Sequence, residues 1–179
     1  MILNFKLENG AFAPKNEHSL DAGYDLISPV DLKIKPKKRG FINTGVCVQA
    51  TNIPKGFKFE GKVEGTSGNA KKKGLYPIGG IIDQGYRGNI GVVLVNNSFK
   101  TIKIKRGDKI AQLIPMIIPI IDKVNVVEEF TDENNDGRGE AGFGSTGIAG
   151  EKAAPKKRTN KKSTDKKQST DKKQSTENK

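Results

Sequence analysis

The chain has 179 residues, no tryptophan and a single cysteine, and aromatic residues make up only 6% of it. A lone cysteine excludes a disulfide within the chain and is typical of a reducing compartment. Hydrophobic residues reach 34%, which is little for a domain that must bury a core of its own. Small domains gain proportionally less from burial, so we expect part of the apolar surface to be buried between subunits.

Long hydrophobic runs are also missing. The amino terminus, MILNFK, lacks the basic-then-apolar layout of a signal peptide. The most apolar stretch, residues 110–121, contains Gln112 and two prolines and is too short to span a bilayer. We therefore predict a soluble cytoplasmic protein without membrane contact. Cys47 stands between Val46 and Val48, which favours a buried strand thiol over a nucleophile.

From residue 151 onward the chain has no aromatic residue, Leu, Ile or Val. These 29 residues carry +7 of the total net charge of +12, and they repeat the string STDKKQ. A segment with nothing to bury cannot offset its ordering entropy, so we predict a disordered tail. Its composition favours a solvated role; a weak contact with nucleic acid or another polyanion is the alternative. If residues 155–162 act as an import signal, the protein would be nuclear.

The rest of the chain has the pattern of β-strands. Phe57, Phe59, Gly61 and Val63 alternate with charged residues, and Ile102 and Ile104 alternate with lysines. Period-two alternation predicts half-buried strands. The segments 41–50, 90–95 and 109–121 are rich in β-branched residues, as buried strands are. Pro and Gly recur at short intervals, and no amphipathic helix longer than a turn or two is apparent. An all-β barrel or sandwich follows.

Three segments contain side chains suited to phosphate chemistry. Residues 79–88, GGIIDQGYRG, read as a tight hairpin in which Asp83 either caps the turn or positions a water, and Tyr86 offers a flat face. Residues 64–70, EGTSGNA, read as a turn whose hydroxyl and free N–H groups suit an oxyanion. Residues 138–147, RGEAGFGSTG, combine a cation, a lone aromatic and two hydroxyls in a glycine-rich arm.

Two further segments each have an adequate structural explanation when taken alone. Residues 22–26, AGYDL, place Asp25 between apolar neighbours. Residues 107–113, GDKIAQL, place Gln112 in an apolar strand, where a buried amide needs a partner.

Taken together, the five segments resemble, in order, spacing and wording, the five motifs of the trimeric all-β dUTP pyrophosphatases (dUTPases), with the motifs at residues 22–26, 66–68, 80–88, 107–113 and 138–147. The resemblance covers residues 1–147. The strings IDQGYRG and GFGSTG are highly specific as a pair.

This resemblance implies a jelly-roll-like β-barrel that forms a homotrimer, with each active site between subunits. Residues 1–136 would form the barrel and residues 137–150 an arm that closes over a neighbouring active site. Residues 151–179 would be the disordered lysine-rich tail. The enzyme would hydrolyse dUTP at the α-phosphorus to dUMP and pyrophosphate with Mg²⁺. That reaction keeps uracil out of DNA and supplies dUMP for thymidylate synthesis.

The resemblance also implies a role for individual residues. Asp83 would act on the attacking water as general base or positioner, and Asp25 would hold Mg²⁺ indirectly, through water. A hairpin before Asp83, including Gly80 and Ile82, would read uracil through its backbone, and Tyr86 would pack on the deoxyribose. The remaining substrate contacts would come from the phosphate-binding residues Ser67, Gly68, Gln112, Arg138, Ser145 and Thr146, from Phe143 over the uracil, and from Gly144.

Two positions depart from the family pattern. Thr66 stands where an Arg usually precedes Ser-Gly, so a bidentate contact is missing. Lys71, Lys72 and Lys73 lie nearby and could replace its charge but not its planar fork. Ala141 stands where the arm commonly has Gly.

Two alternatives stay open. A dCTP deaminase shares the fold, but it relies on a Glu in the region of Asp83 and usually has Arg-Ser-Ser in its second motif. A regulatory protein on a degenerate dUTPase scaffold would use the basic tail to bind nucleic acid or another acidic partner, with salt-dependent affinity.

Overall fold

The computed structural model of the chain describes residues 1–131. Met1–Asn125 form one compact unit, and of the second unit, Val126–Lys179, residues 126–131 are described. The described part contains eleven strands and one short helix, which confirms the all-β prediction. That helix is too short and too polar to cross a membrane. The elements are β1 (Ile2–Leu7), β2 (Tyr24–Ile27), β3 (Leu32–Ile34), β4 (Arg39–Asn43), β5 (Val46–Thr51), β6 (Phe57–Glu64), α1 (Ser67–Lys73), β7 (Leu75–Ile78), β8 (Ile81–Asp83), β9 (Gly91–Asn96), β10 (Ile102–Ile104) and β11 (Lys109–Pro119).

The strands form four antiparallel sheets. Their orders are β1-β5, β10-β3, β2-β11-β6-β8 and β4-β9-β7. Strand β11 lies between β2 and β6, and β8 pairs with β6, so four of the five segments singled out in the sequence contribute to one sheet. This arrangement, which joins strands far apart in the sequence, positions the candidate site.

The core consists almost entirely of Ile, Leu and Val side chains. Phe59, 2% exposed, is the one aromatic buried in it within residues 1–131. β-Branched side chains pack well on pleated surfaces, which explains why a chain so poor in aromatics still forms these sheets.

The alternation in β6 and β10 predicts their buried faces with one exception. Phe59, Gly61 and Val63 are buried, and so are Ile102 and Ile104. Phe57, the first residue of β6, is exposed. The period-two pattern therefore holds within both strands except at the start of β6.

The single strand predicted over residues 41–50 is in fact two strands. Thr44 separates β4 from β5, and its buried hydroxyl donates to the carbonyl of Ile90 at 2.8 Å. Gly45 follows with a positive φ of 70°, which breaks the extended backbone. A hydroxyl that bonds across the fold and a left-handed glycine together turn the chain from one sheet into another.

Cys47 lies on β5, as predicted, but its thiol is only half-buried. Its Sγ lies 3.1 Å from Oδ1 of Asn89. Val46 and Val48 are the buried residues here, because neighbours on a strand point to opposite faces.

Candidate active site

A cleft of about 230 Å³ opens beside β8, and we call it the Asp83 cleft. It contains four of the predicted site residues, namely Gly80, Ile82, Asp83 and Tyr86. The side chain of Ile82 belongs to the buried core, and the residue is 6% exposed. Ile81, Asn89 and Gly91 complete the lining.

The turn after Asp83 is fixed by hydrogen bonds at several points. The N–H of Tyr86 donates to the Asp83 carbonyl at 3.0 Å. Oε1 of Gln84 accepts from the N–H of Phe59 at 2.9 Å, which ties the turn to β6. The Tyr86 hydroxyl donates to the carbonyl of Asn89 at 2.9 Å. Asp83 and Tyr86 therefore hold their relative positions without a ligand.

The hairpin expected within residues 79–88 is not formed. Strand β7 pairs with β9 and strand β8 pairs with β6, so the chain changes sheet between them. Gly79 and Gly80 make the change with φ values of 69° and 100°. The Gly80 carbonyl accepts from the N–H of Val63 at 2.8 Å. A glycine pair between two apolar runs predicts that the two strands pair with each other, whereas here the two strands belong to different sheets.

A second group of predicted residues gathers around Gln112 on β11. Gln112 is directly opposite Asp25 on β2 and Glu64 on β6. Its amide nitrogen donates to the carbonyl of Gly65 at 3.2 Å. A Cβ on Gly23 would lie 2.7 Å from the Gln112 amide oxygen, so the glycine of the first motif makes room for this side chain. We call Asp25, Ser67, Gly68 and Gln112 the Gln112 cluster.

The segment 64–70, expected to be a turn, runs from the last residue of β6 into helix α1, which begins at Ser67. Thr66 is its N-cap, with φ −91° and ψ 140°, and its side chain accepts a weak hydrogen bond from the N–H of Asn69 at 3.4 Å. The Asn69 amide anchors the helix by donating to the carbonyl of Lys109 at 2.8 Å. Ser67 and Gly68 are exposed in the first turn, where backbone N–H groups have no partner within the helix. The donors predicted for an oxyanion are therefore present in a helical context.

Ion pairs surround the cluster. Asp25 is only 7% exposed, and its carboxylate lies 2.5 Å from the ammonium of Lys109. On β6, a hydrogen bond from Lys62 lowers the pKa of the Glu64 carboxyl and raises the pKa of Lys62. The Lys62–Glu64 pair is largely exposed, so it contributes little to stability.

The chemistry of these donors fits Mg²⁺ only if the metal is held mainly by a ligand. Residues 1–131 contain no group of three or more acidic, His or Cys side chains able to hold a metal ion. Mg²⁺ commonly binds through one or two carboxylates, several waters and substrate phosphates. One carboxylate beside a helix that presents free N–H groups meets that requirement.

Within residues 1–131, the Asp83 cleft and the Gln112 cluster lie at different positions along β6. Asp83 is opposite Glu60 on β6, while Gln112 is opposite Glu64. The separation of four residues along β6 corresponds to about 13 Å. The Asp83 cleft contains no member of the Gln112 cluster.

Sequence reasoning missed several residues around these sites. Asn89 lines the cleft, and its carbonyl accepts a hydrogen bond from the Tyr86 hydroxyl. Lys109 forms an ion pair with Asp25. Lys109 stands inside the fourth motif, but its partner depends on the register between β2 and β11, which no local pattern reveals. The predicted arm residues Arg138, Phe143, Gly144, Ser145 and Thr146 lie outside the described residues, as does the tail.

Comparisons with known proteins place this geometry in a family. The dUTPase family model matches residues 10–147. The deoxyuridine 5′-triphosphate nucleotidohydrolase of Clostridium novyi is 40% identical over 150 residues, covering 82% of this chain and 99% of that protein. The enzyme of the same name from Rabbitpox virus is 41% identical over 145 residues, covering 80% and 90%.

Solved structures agree. A mutant dUTPase of Staphylococcus bacteriophage 80alpha with dUpNHpp superposes with a TM-score of 0.70 at 31% identity, covering 82% of this chain and 99% of that one. A mutant dUTPase from phage phi11 of S. aureus, described with a structural Mg(II) ion, has a TM-score of 0.62 at 31% identity, covering 73% and 99%. The matches confirm the predicted dUTPase-type barrel, and the chain belongs to the dUTPase family.

Proposed function

We propose that the protein is a dUTP diphosphatase that converts dUTP and water to dUMP and pyrophosphate. The observation that carries the proposal is the Asp83 cleft, in which a carboxylate and a tyrosine are held together by the bonds of one turn. The family supplies the substrate class, since relatives spanning nearly the whole domain are named for this activity.

In the proposed reaction a water molecule attacks the α-phosphorus. A new bond forms between the water oxygen and phosphorus, and the bond to the bridging oxygen of the β-phosphate breaks. Asp83 orients the water and accepts its proton, a role that its exposed carboxylate suits sterically. Tyr86 packs on the deoxyribose, and the backbone at Gly80 and Ile82 contacts uracil.

The Gln112 cluster would bind the triphosphate. The backbone N–H groups and hydroxyl at Ser67 and Gly68 donate to phosphate oxygens, and the amide of Gln112 is fixed against Gly65 for the same purpose. Mg²⁺, bound through phosphate oxygens and waters near Asp25, would supply charge stabilisation for the departing pyrophosphate. The arm, residues 137–150, would close over the site with Arg138, Ser145 and Thr146 on the γ-phosphate and Phe143 and Gly144 at the uracil end.

We further propose that the enzyme is a homotrimer and that a cleft of one chain faces the Gln112 cluster of another. Large apolar side chains remain exposed where β6 begins and β11 ends, among them Phe57, Ile117, Ile120 and Ile121. Exposed apolar patches of this kind mark association surfaces. The separation of the two groups within one chain supports the same conclusion.

The test is to incubate the purified protein with Mg²⁺ and, separately, dUTP, dCTP, dTTP and UTP, and to identify products by chromatography. We expect dUMP and pyrophosphate from dUTP alone. Conversion of dCTP would move the assignment to the deaminases that share this fold. No turnover of any nucleotide would leave a binding protein on a dUTPase scaffold.

A further inference from the structure

The positive charge of the barrel is concentrated in three segments. Residues 33–39, 71–73 and 100–106 hold twelve Lys and Arg residues and no Asp or Glu. They are far apart in the sequence. The net charge of the whole chain does not reveal this concentration, because it also includes the positive charge of the tail.

The fold brings these segments to one surface. Lys33 on β3 is directly opposite Lys103 on β10. The buried amide nitrogen of Asn96 donates to the carbonyls of Ile34, Lys35 and Lys100, which locks the first segment to the third. A concavity of about 300 Å³ lies between the end of α1 and the third segment. It is lined by Lys72, Lys73, Ser98, Lys100, Thr101, Ile102 and Lys103. We call Lys33, Lys72, Lys73, Lys100 and Lys103 the basic surface.

The basic surface is not neutralised within the described part of the chain. The ion pairs there are Lys62–Glu64, Lys105–Asp31 and Lys109–Asp25, and none involves the five lysines. All five are exposed. Clustered charge of one sign concentrates counter-ions and attracts polyanions.

Phe99 stands at the edge of this surface and is 86% exposed. The ammonium of Lys37 lies 4.4 Å from the centre of its ring. That ammonium is itself held by the carbonyl of Asn97 at 2.6 Å and its side-chain oxygen at 3.1 Å. An exposed aromatic face beside fixed cations is the combination on which bases of a single strand stack.

We propose that the basic surface and Phe99 bind single-stranded nucleic acid. The lysines neutralise successive phosphates and Phe99 stacks on a base. The site is separate from the Asp83 cleft, with which it shares no lining residue.

The test measures the binding of a fluorescein-labelled oligothymidylate to the full chain by anisotropy across a salt series. The variant K33E/K100E/K103E is compared with the control K6E/K55E/K58E, which makes the same charge change at exposed lysines elsewhere. The tail is identical in all proteins, so differences report on the barrel. We expect the first variant to bind at least about tenfold more weakly, with a salt slope smaller by about 2, or about 0.7 for each lost phosphate contact. The control variant should bind like the wild type.

A second arm tests stacking and specificity. F99A should weaken binding several-fold without changing the salt slope, and a duplex or poly-glutamate should compete poorly. Turnover of dUTP should stay at the wild-type value in K33E/K100E/K103E and in F99A, so the proposal and the enzymatic function fail separately. If charge reversal hinders folding, lysine-to-glutamine versions of both triple variants replace them. Equal losses in both triple variants, wild-type affinity in the first, effective competition by poly-glutamate, or displacement by a non-hydrolysable dUTP analogue would each overturn the proposal.

Discussion

The position of Asp83 is fixed by backbone and side-chain hydrogen bonds of neighbouring residues that have no proposed role in the reaction. The carbonyl of Asp83 closes the turn to Tyr86, and Gln84 secures that turn to the backbone of β6. Its carboxylate is left exposed at the end of an edge strand, free to meet a water and a phosphorus. Rigid support beneath an exposed reactive group reduces the reorganisation that the reaction requires.

Replacing Asp83 by Asn should therefore remove catalysis and little else. We expect kcat to fall by about 10²–10⁴-fold, the usual contribution of a positioned base, with KM and the thermal midpoint nearly unchanged. Steady-state kinetics with dUTP and a thermal melt provide the measurements. Glu60, the carboxylate opposite Asp83 on β6, supplies the matched control, and E60Q should retain activity. Wild-type kcat in D83N would show that Asp83 is not the base.

Gly80 is a residue whose shape, not its chemistry, is required. It has a φ of 100°, and a Cβ there would lie 2.7 Å from Cβ of Val63. We expect G80A to lose about 1–3 kcal/mol of unfolding free energy, through backbone strain and displacement of Val63, and to raise KM for dUTP because the cleft wall moves.

Gly79 is the matched control, with a φ of 69° and nothing within 4 Å of a built Cβ. G79A should cost only about 1 kcal/mol, the usual penalty for a left-handed Ala, and leave KM unchanged. Denaturant unfolding and initial rates measure both quantities. Equal stability losses in the two variants would mean that the Val63 contact is unimportant.

At the scale of single residues, the sequence indicates which side chains could be functional better than it indicates which residues they contact. Asp83 and Tyr86 were predicted as neighbours because they are three residues apart in a glycine-bounded string. Their connection to Asn89, and that of Asp25 to Lys109, required the fold. Cys47 was placed on the correct strand but on the wrong side of it, because a run of apolar residues does not say which face is inside.

Helix α1 shows how one substitution can serve local structure. Thr66 takes the position of an Arg that the family usually has, and it caps the helix that carries Ser67 and Gly68. Thr is among the residues preferred at an N-cap, whereas Arg is not. Thr66 therefore supplies a helix cap at a position where an Arg would offer phosphate a bidentate contact.

The substitution T66R should remove the helix cap and add a guanidinium that can contact phosphate. A restored guanidinium contact to phosphate is expected to raise kcat/KM for dUTP by about tenfold or more. The lost cap should cost about 0.5 kcal/mol, since the hydrogen bond to Asn69 is long. T66A, which loses the cap and gains no charge, should show the stability loss without the kinetic gain. Kinetics of T66R no better than those of T66A would mean that this position no longer faces the phosphates.

Elements with a strong period were predicted well, and connections were not. Strands β6, β9 and β11 lie where alternation or β-branched runs placed them. The break at Thr44 and the sheet change at Gly79 depend on long-range hydrogen bonds and pairings that a local pattern does not contain. Helix α1, seven residues long, is too short for periodicity to reveal, so the segment 64–70 reads as a turn in the sequence.

At the scale of the whole molecule, the proposed active site divides into two halves. The Asp83 cleft and the Gln112 cluster draw on one sheet, and within residues 1–131 the cleft is lined by no residue of the cluster. A closed trimer would bring the cleft of each chain against the cluster of the next, and the interface would also bury the apolar residues exposed at the ends of β6 and β11. Trimer formation would then explain both the low hydrophobic content of the chain and the division of the site.

Mixed trimers test this arrangement directly. D83N disables the cleft and Q112A the cluster, so each variant alone should be nearly inactive. When the two are co-expressed with different tags and purified together, each mixed trimer gains one site with both halves intact. Random assembly then predicts about a quarter of the wild-type activity in the total population. Mixing the two proteins without subunit exchange should give no recovery, which is the control. If both halves of the site came from a single chain, no mixed trimer would contain an intact site, and activity would stay at the level of the separate variants.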